Sequence, residues 1–359
     1  MTSLQPHFLG EGPARLHVLT RSAGGDGPGP AVCLVHGNLS TAQFFAATAE
    51  ALPPGWRVAA PDLRGFGRSG PAPVDATRGM RDFADDLDRV IAAGLLGPPE
   101  QRVHLAGWSL GGGAVMQYAI DHPGRVASVT LISPVAPCGY GATKDADGTM
   151  CYEDGAGSGA GVVNPEMVSR IAAGDRTDVS PVSPRSVLRS LYVRPPLRFP
   201  AEVEDLFVDE ILATAIGEDH YPGDSRPSPH WPGSAPGPCG VVNALSPVYC
   251  DLSEFVKVAA QRPVLWVRGT DDQIVADAAA SDVGFLGSAG VIPGWPGPQF
   301  PPQPMVAQTR ALLRRAEAAG GTFTESVFPD CGHSPHLEKP EEFRRVFEEF
   351  VTSVTAADR

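Results

Sequence analysis

Apolar positions along this chain fall into short continuous runs separated by longer segments of helical period. The runs Ala31–Val35, 57–60, 102–106, Val126–Ile132, 263–268 and 322–328 have the length of strands; Ala31–Val35 is continuously apolar, and it, 102–106 and Val126–Ile132 are expected to be buried. An earlier run, 14–20, alternates instead and predicts a partly exposed strand before a Gly/Pro loop at 23–30. Between the runs, 41–52, 80–95 and 306–319 predict helices. The second of these places Phe83, Leu87, Val90 and Ile91 on one face. A closing helix starts at Pro340, a favourable first helical position, with Phe343, Val346, Phe347, Phe350, Val351 and Val354 along one stripe.

Strands alternating with helices predict an α/β fold with a mainly parallel central sheet covered by helices on both faces. The alternation breaks between about 133 and 256, where the chain becomes rich in Gly and Pro around helical fragments at 165–173, 184–192 and 202–216. A stretch of this kind between two sheet strands predicts an inserted cap over the strand ends. The expected division is a core of 1–134 and 257–359 with a cap of 135–256. A second irregular stretch, 284–304, carries Trp295 and Phe300 and is expected either to wall a pocket or to form a surface loop.

Composition narrows the function. The chain has 359 residues, 42% apolar and 19% charged, enough to bury a substantial core. A net charge of −13 without clustered Lys or Arg argues against nucleic acid or an anionic membrane as partner, and favours a small neutral or apolar molecule. With no apolar run long enough to span a bilayer and no leader-like start, a cytoplasmic protein is expected. The six cysteines are sparse and irregular, and the His and Cys spacing offers no metal set, so no cofactor is expected.

The chemistry centres on Gly107-Trp108-Ser109-Leu110-Gly111, where an apolar strand runs into a serine framed by glycines and then into a segment of small and apolar residues. A serine on such a strand-to-helix turn is lifted above the sheet edge, and its neighbours two residues away must lack side chains. The turn also leaves the Leu110 N–H unpaired at a helix start, free to donate to a developing oxyanion. The turn His36-Gly37-Asn38 after an earlier strand makes Asn38 the second donor. By contrast Asp62-Leu63-Arg64-Gly65-Phe66-Gly67-Arg68-Ser69 lacks the Gly-Lys-Ser/Thr of a phosphate loop, and is expected to be a structural turn tied by Asp62 and Arg64.

Taken together, the serine turn, the His36-Gly37-Asn38 turn, the segment from Asp62 to Ser69, Gly269-Thr270-Asp271-Asp272 and Gly332-His333 resemble the α/β-hydrolase superfamily, in the order nucleophile, acid, histidine. The resemblance covers the sheet portions and implies Ser109 as nucleophile, His333 as general base and Asp272 as the acid that orients it. Asp272 is preferred over Asp271 by its spacing from Gly269. It also implies that His336 is structural and that a serine, where haloalkane dehalogenases and epoxide hydrolases use Asp, directs the chain to acyl chemistry. The expected activity is hydrolysis of a small carboxylic ester through an acyl-enzyme. Lactone, thioester or C–C bond hydrolysis and cofactor-free perhydrolysis stay open on the same triad, as does a non-catalytic ligand receptor on this fold. The cap is expected to set specificity, with Trp108, Tyr140, Trp231 and Trp295 as candidate substrate contacts.

Overall fold

The computed structural model describes residues 4–22, 29–98 and 100–357; most of the loop expected at 23–30 lies outside them. Eight strands form the central sheet: β1 (Gln5–Leu9), β2 (Leu16–Arg21), β3 (Ala31–Val35), β4 (Arg57–Pro61), β5 (Val103–Trp108), β6 (Val126–Ile132), β7 (Val264–Gly269) and β8 (Phe323–Phe328). Their spatial order is β1-β2-β4-β3-β5-β6-β7-β8. From β4 to β8 every neighbouring pair is parallel, while β1 and β2 run antiparallel at one edge.

The continuous apolar runs became the central strands because both faces of β3, β5 and β6 are covered, and every residue in these three is buried. One helical layer is a chain of contacts, with α1 (Arg81–Ala92) against α2 (Leu110–Asp121), α2 against α3 (Phe255–Ala259), and α3 against α5 (Met305–Ala318). The other joins the helix Ala46–Ala51 to α6 (Pro340–Ala357). On α6, Phe343, Phe347, Val351 and Val354 are buried, with Val346 and Phe350 packed at the margin.

Two expectations are corrected. The early strand is not partly exposed: all of Leu16–Arg21 is buried, because the additional strand β1 pairs along it and takes the exposed edge. The helix expected at 41–52 is split into a 3₁₀ turn, Ala42–Phe45, and the short helix Ala46–Ala51; Thr41 caps the turn by accepting a hydrogen bond from the Gln43 N–H.

Between β6 and β7 the chain leaves the sheet for an irregular insertion containing the helices Pro165–Ala172, Pro184–Val187 and Ala201–Leu212. A second excursion after β7 contains α4 (Val283–Ser288). Among the described residues no helix is long and apolar enough to cross a membrane.

Phe343 is fully buried on α6 and stacks on Phe347 with ring centroids 5.7 Å apart. Truncation there leaves a cavity against the sheet, so Phe343→Ala is expected to cost about 3–5 kcal/mol of stability. Urea denaturation measures it, and a loss below about 1 kcal/mol would show that α6 does not anchor this layer.

Candidate active site

Four loops meet above the same edge of the sheet because each follows the C-terminal end of a parallel strand: the turns after β3, β5, β7 and β8. After β5, Ser109 begins α2 with φ of +56°, a left-handed conformation that non-glycine residues avoid. Close approach makes the flanking glycines necessary. A Cβ on Gly107 would lie 2.2 Å from the Gly111 carbonyl oxygen, and one on Gly111 would lie 2.3 Å from that of Val35.

His333 stands opposite, after β8, and its Nδ1 is 2.9 Å from Asp272 Oδ2 and 3.1 Å from Oδ1. Both side chains are buried. The remaining lone pairs of Asp272 Oδ1 accept the N–H groups of Ile274 and Val275 at 2.8 and 2.9 Å, which fixes the carboxylate with its face to the imidazole. Asp271 turns outward instead; its carboxylate accepts from the Thr270 hydroxyl and pairs with Arg194 at 3.3 Å.

The histidine loop is held on three sides. The Trp108 indole donates to the His333 carbonyl at 2.8 Å, and the Gly332 and Ser334 N–H groups donate to the Glu338 carboxylate at 2.9 and 3.1 Å. Gly269 is required by the crossing of the acid and histidine loops, since a Cβ there would meet the Cys331 carbonyl oxygen at 2.1 Å. Glu338 gave no signal in the sequence beyond lying one turn after the histidine.

On the β3 side, His36 is fully buried. Its Nε2 accepts the Leu63 N–H at 2.9 Å, so its Nδ1–H donates to the Gly37 carbonyl at 2.7 Å. Burial lowers this imidazole to about 4, which keeps it neutral and in that tautomer. The Gly37 carbonyl also accepts from the Ser40 hydroxyl, and the opposite end of that planar peptide is the Asn38 N–H. Neither the Asn38 nor the Leu110 N–H is paired with an acceptor among the described residues. The segment from Asp62 to Ser69 is the expected structural turn: Asp62 accepts from the N–H groups of Ala42 and Arg68, and Arg64 grips Asp86 with two hydrogen bonds.

A cavity of about 330 Å³ opens over these groups, lined by Ser109, His333, Asn38, Leu110 and Trp108 from the sheet loops. The insertion contributes Tyr140, Met167, Val187, Tyr192, Tyr221 and Leu245 to its wall, and the second excursion contributes Val283 and Leu286. Trp231 and Trp295 do not line it. Both pack on Gly287 of α4; the Trp231 indole donates to the Pro293 carbonyl, tying the insertion to the excursion, and the Trp295 indole donates to the Phe300 carbonyl within the excursion. Tyr192, which pattern reading passed over as the end of a helical fragment, lines the cavity in their stead. Among the described residues no group of three or more His, Cys, Asp or Glu side chains is placed to hold a metal ion.

Residues 30–145 match the family model for the alpha/beta hydrolase fold. Over 110 residues, 30% of this chain and 40% of the relative, the sequence is 40% identical to a protein of Variovorax paradoxus (strain S110) provisionally named carbamate hydrolase RutD. Over 112 residues it is 33% identical to a pimeloyl-acyl-carrier-protein methyl ester esterase of Aeromonas hydrophila, covering 31% of this chain and 40% of that one. The match thus spans about two fifths of the length of these relatives. The solved structure of a thermophilic esterase from Thermogutta terrifontis superposes with a TM-score of 0.56 at 21% identity, covering 98% of this chain and 99% of the other, a likeness of fold. The chain has the α/β-hydrolase fold, and its residues 30–145 carry that family's sequence pattern.

Two buried imidazoles make acid stability a test of this packing. His336 stacks on Phe45 with centroids 4.4 Å apart and meets Trp108 edge-on at 4.9 Å, and burial lowers it to about 3, as burial lowers His36 to about 4. An unfolded imidazole titrates near 6.5, so below that pH the unfolded state binds protons that the folded state refuses. Stability is therefore full above about pH 6.5 and falls towards pH 4, by up to about 2.7 kcal/mol per pH unit from the pair. Urea midpoints at pH 7.5, 6.5 and 5.5 measure the slope, and His336→Phe is expected to reduce it; a flat wild-type profile between 6.5 and 5.5 contradicts the assignment.

Proposed function

We propose that this chain is a serine hydrolase that cleaves an uncharged carboxylic ester through an acyl-enzyme intermediate. The observation that carries the reading is the convergence of Ser109 and an Asp272-oriented His333 on one cavity, beside two unpaired backbone N–H groups. His333 removes the Ser109 proton as Oγ attacks the ester carbonyl, and the oxyanion of the tetrahedral intermediate accepts from the Asn38 and Leu110 N–H groups. The protonated imidazole, balanced by Asp272, then gives its proton to the departing alkoxide. Water activated by the same imidazole attacks the acyl-enzyme and releases the acid.

Charge supports an uncharged substrate. Among the described lining residues none is Lys, Arg, Asp or Glu, so a carboxylate on the acyl group would enter without a counter-ion. The relatives' names, carbamate hydrolase and methyl ester esterase, point to ester-like bonds. On this reading residues 135–256 act as the cap, together with the excursion around α4, and the cap selects the acyl and alcohol groups.

Hydrolysis of p-nitrophenyl butyrate tests the activity. Ser109→Ala is expected to abolish turnover, and His333→Ala and Asp272→Asn to lower kcat by about 10⁴-fold, while Asp271→Asn has little effect. A folded Ser109→Ala protein that retains turnover would end the proposal, and a wild type inactive on every acyl length would favour a ligand receptor. A second expectation concerns charge: replacing the butyryl group by a singly ionised succinyl group should lower kcat/KM about 100-fold or more. Equal rates would show that the acyl group does not enter the apolar cavity.

A further inference from the structure

The insertion does more than roof the cavity. At the end of the turn that follows Pro184–Val187, Tyr192 is buried and its hydroxyl donates to the Asn38 carbonyl at 2.8 Å, with the Leu39 carbonyl at 3.2 Å. Two residues later the Arg194 N–H donates to Glu338 Oε2 at 2.8 Å, the carboxylate that also accepts from Gly332 and Ser334 on either side of His333. The Arg194 guanidinium reaches Asp271, next to Asp272, at 3.3 Å and Asp330 at 3.2 Å. One three-residue segment of the insertion therefore touches the loops that carry the oxyanion donor, the acid and the histidine. The approach is close enough to require glycine on the other side, since a Cβ on Gly332 would lie 2.8 Å from the Arg194 nitrogen.

We infer that Tyr192 is a positioning residue for the oxyanion turn, and that the segment Tyr192 to Arg194 straps the insertion to the catalytic loops. The inference rests on the ester-hydrolase reading given above. The Asn38 N–H belongs to the first of the two peptide units that meet at the Asn38 Cα. His36 and Ser40 hold the carbonyl of the first, Gly37–Asn38, from the sheet side. Tyr192 holds the carbonyl of the second, Asn38–Leu39, from the insertion. With both carbonyls anchored, neither dihedral of Asn38 can turn freely, and the N–H keeps the direction in which it can meet an oxyanion. The following residue, Leu39, has φ of +47°, so without the Tyr192 anchor this turn has a strained conformation to relax from. The Tyr192 ring, in contrast, is held by packing, with Trp108 at 5.6 Å and Phe44 at 6.3 Å. Burial pushes its phenol upward, so it stays a donor through the working pH range.

Tyr192→Phe removes the anchor and keeps the ring. The expected result is a fall in kcat of about tenfold, uniform across acetyl, butyryl and hexanoyl p-nitrophenyl esters, with KM within about twofold and an unchanged melting temperature. Inhibition separates positioning from packing. A trifluoromethyl ketone, which adds Ser109 Oγ to its carbonyl and leaves an oxyanion, should bind about tenfold more weakly to the variant. The corresponding methyl ketone, which stays trigonal, should bind equally to both. An unchanged variant, or a loss confined to KM or to one acyl length, overturns the strap while leaving the hydrolase reading intact. A wild type that neither hydrolyses esters nor binds the trifluoromethyl ketone overturns that reading first, and the role of Tyr192 with it.

Discussion

The backbone of Ser109 sits at φ of +56° between a strand and a helix that nearly touch, and the rest of the site is arranged around that constraint. The conformation persists because glycine at 107 and 111 lets β5, α2 and the end of β3 approach within distances that no side chain allows. The sheet then fixes what stands near the serine. Every loop after a parallel strand leaves at the same edge, so the turns after β3, β7 and β8 arrive there without any long-range signal in the sequence.

Once at that edge, the loops hold one another rather than the ligand space. The acid loop crosses the histidine loop so closely that Gly269 would collide with Cys331 if it carried a side chain, and the indole of Trp108 reaches across to the His333 carbonyl. The sheet side of the cavity is thus rigid and polar at a few points. Its roof is apolar, and comes from two segments with little regular structure, the insertion and the excursion around α4. This division suits an enzyme in which the bond-making groups are fixed and the specificity surface can vary. The strap at Tyr192 joins the two halves, tying the position of the roof to that of the Asn38 turn.

How far the sequence could be read follows the same division. Parallel strands covered on both faces are written as largely apolar runs, so β3 to β7 were legible; β8, a more polar strand at the sheet edge, was legible as a strand but not by that signal, and β1 has four exposed residues of five and no period to find. Ser109, Asp272 and His333 were legible because sharp turns and close crossings demand glycine at fixed offsets. The roof was not. Trp231 and Trp295 drew notice by size, yet their indoles serve the excursion's backbone, and Tyr192 reaches the cavity only through the path of an irregular chain that no periodicity encodes. Glu338 was missed for a related reason, since its partners are backbone N–H groups, which leave no mark on sequence.

A crystal structure of the protein after reaction with a p-nitrophenyl alkylphosphonate tests the central claim most directly. The account predicts a single adduct on Ser109 Oγ, its phosphoryl oxygen within hydrogen-bond distance of the Asn38 and Leu110 N–H groups, and its alkyl chain in the apolar cavity beneath Tyr192. An adduct on another residue, or a phosphoryl oxygen turned away from both N–H groups, would contradict it.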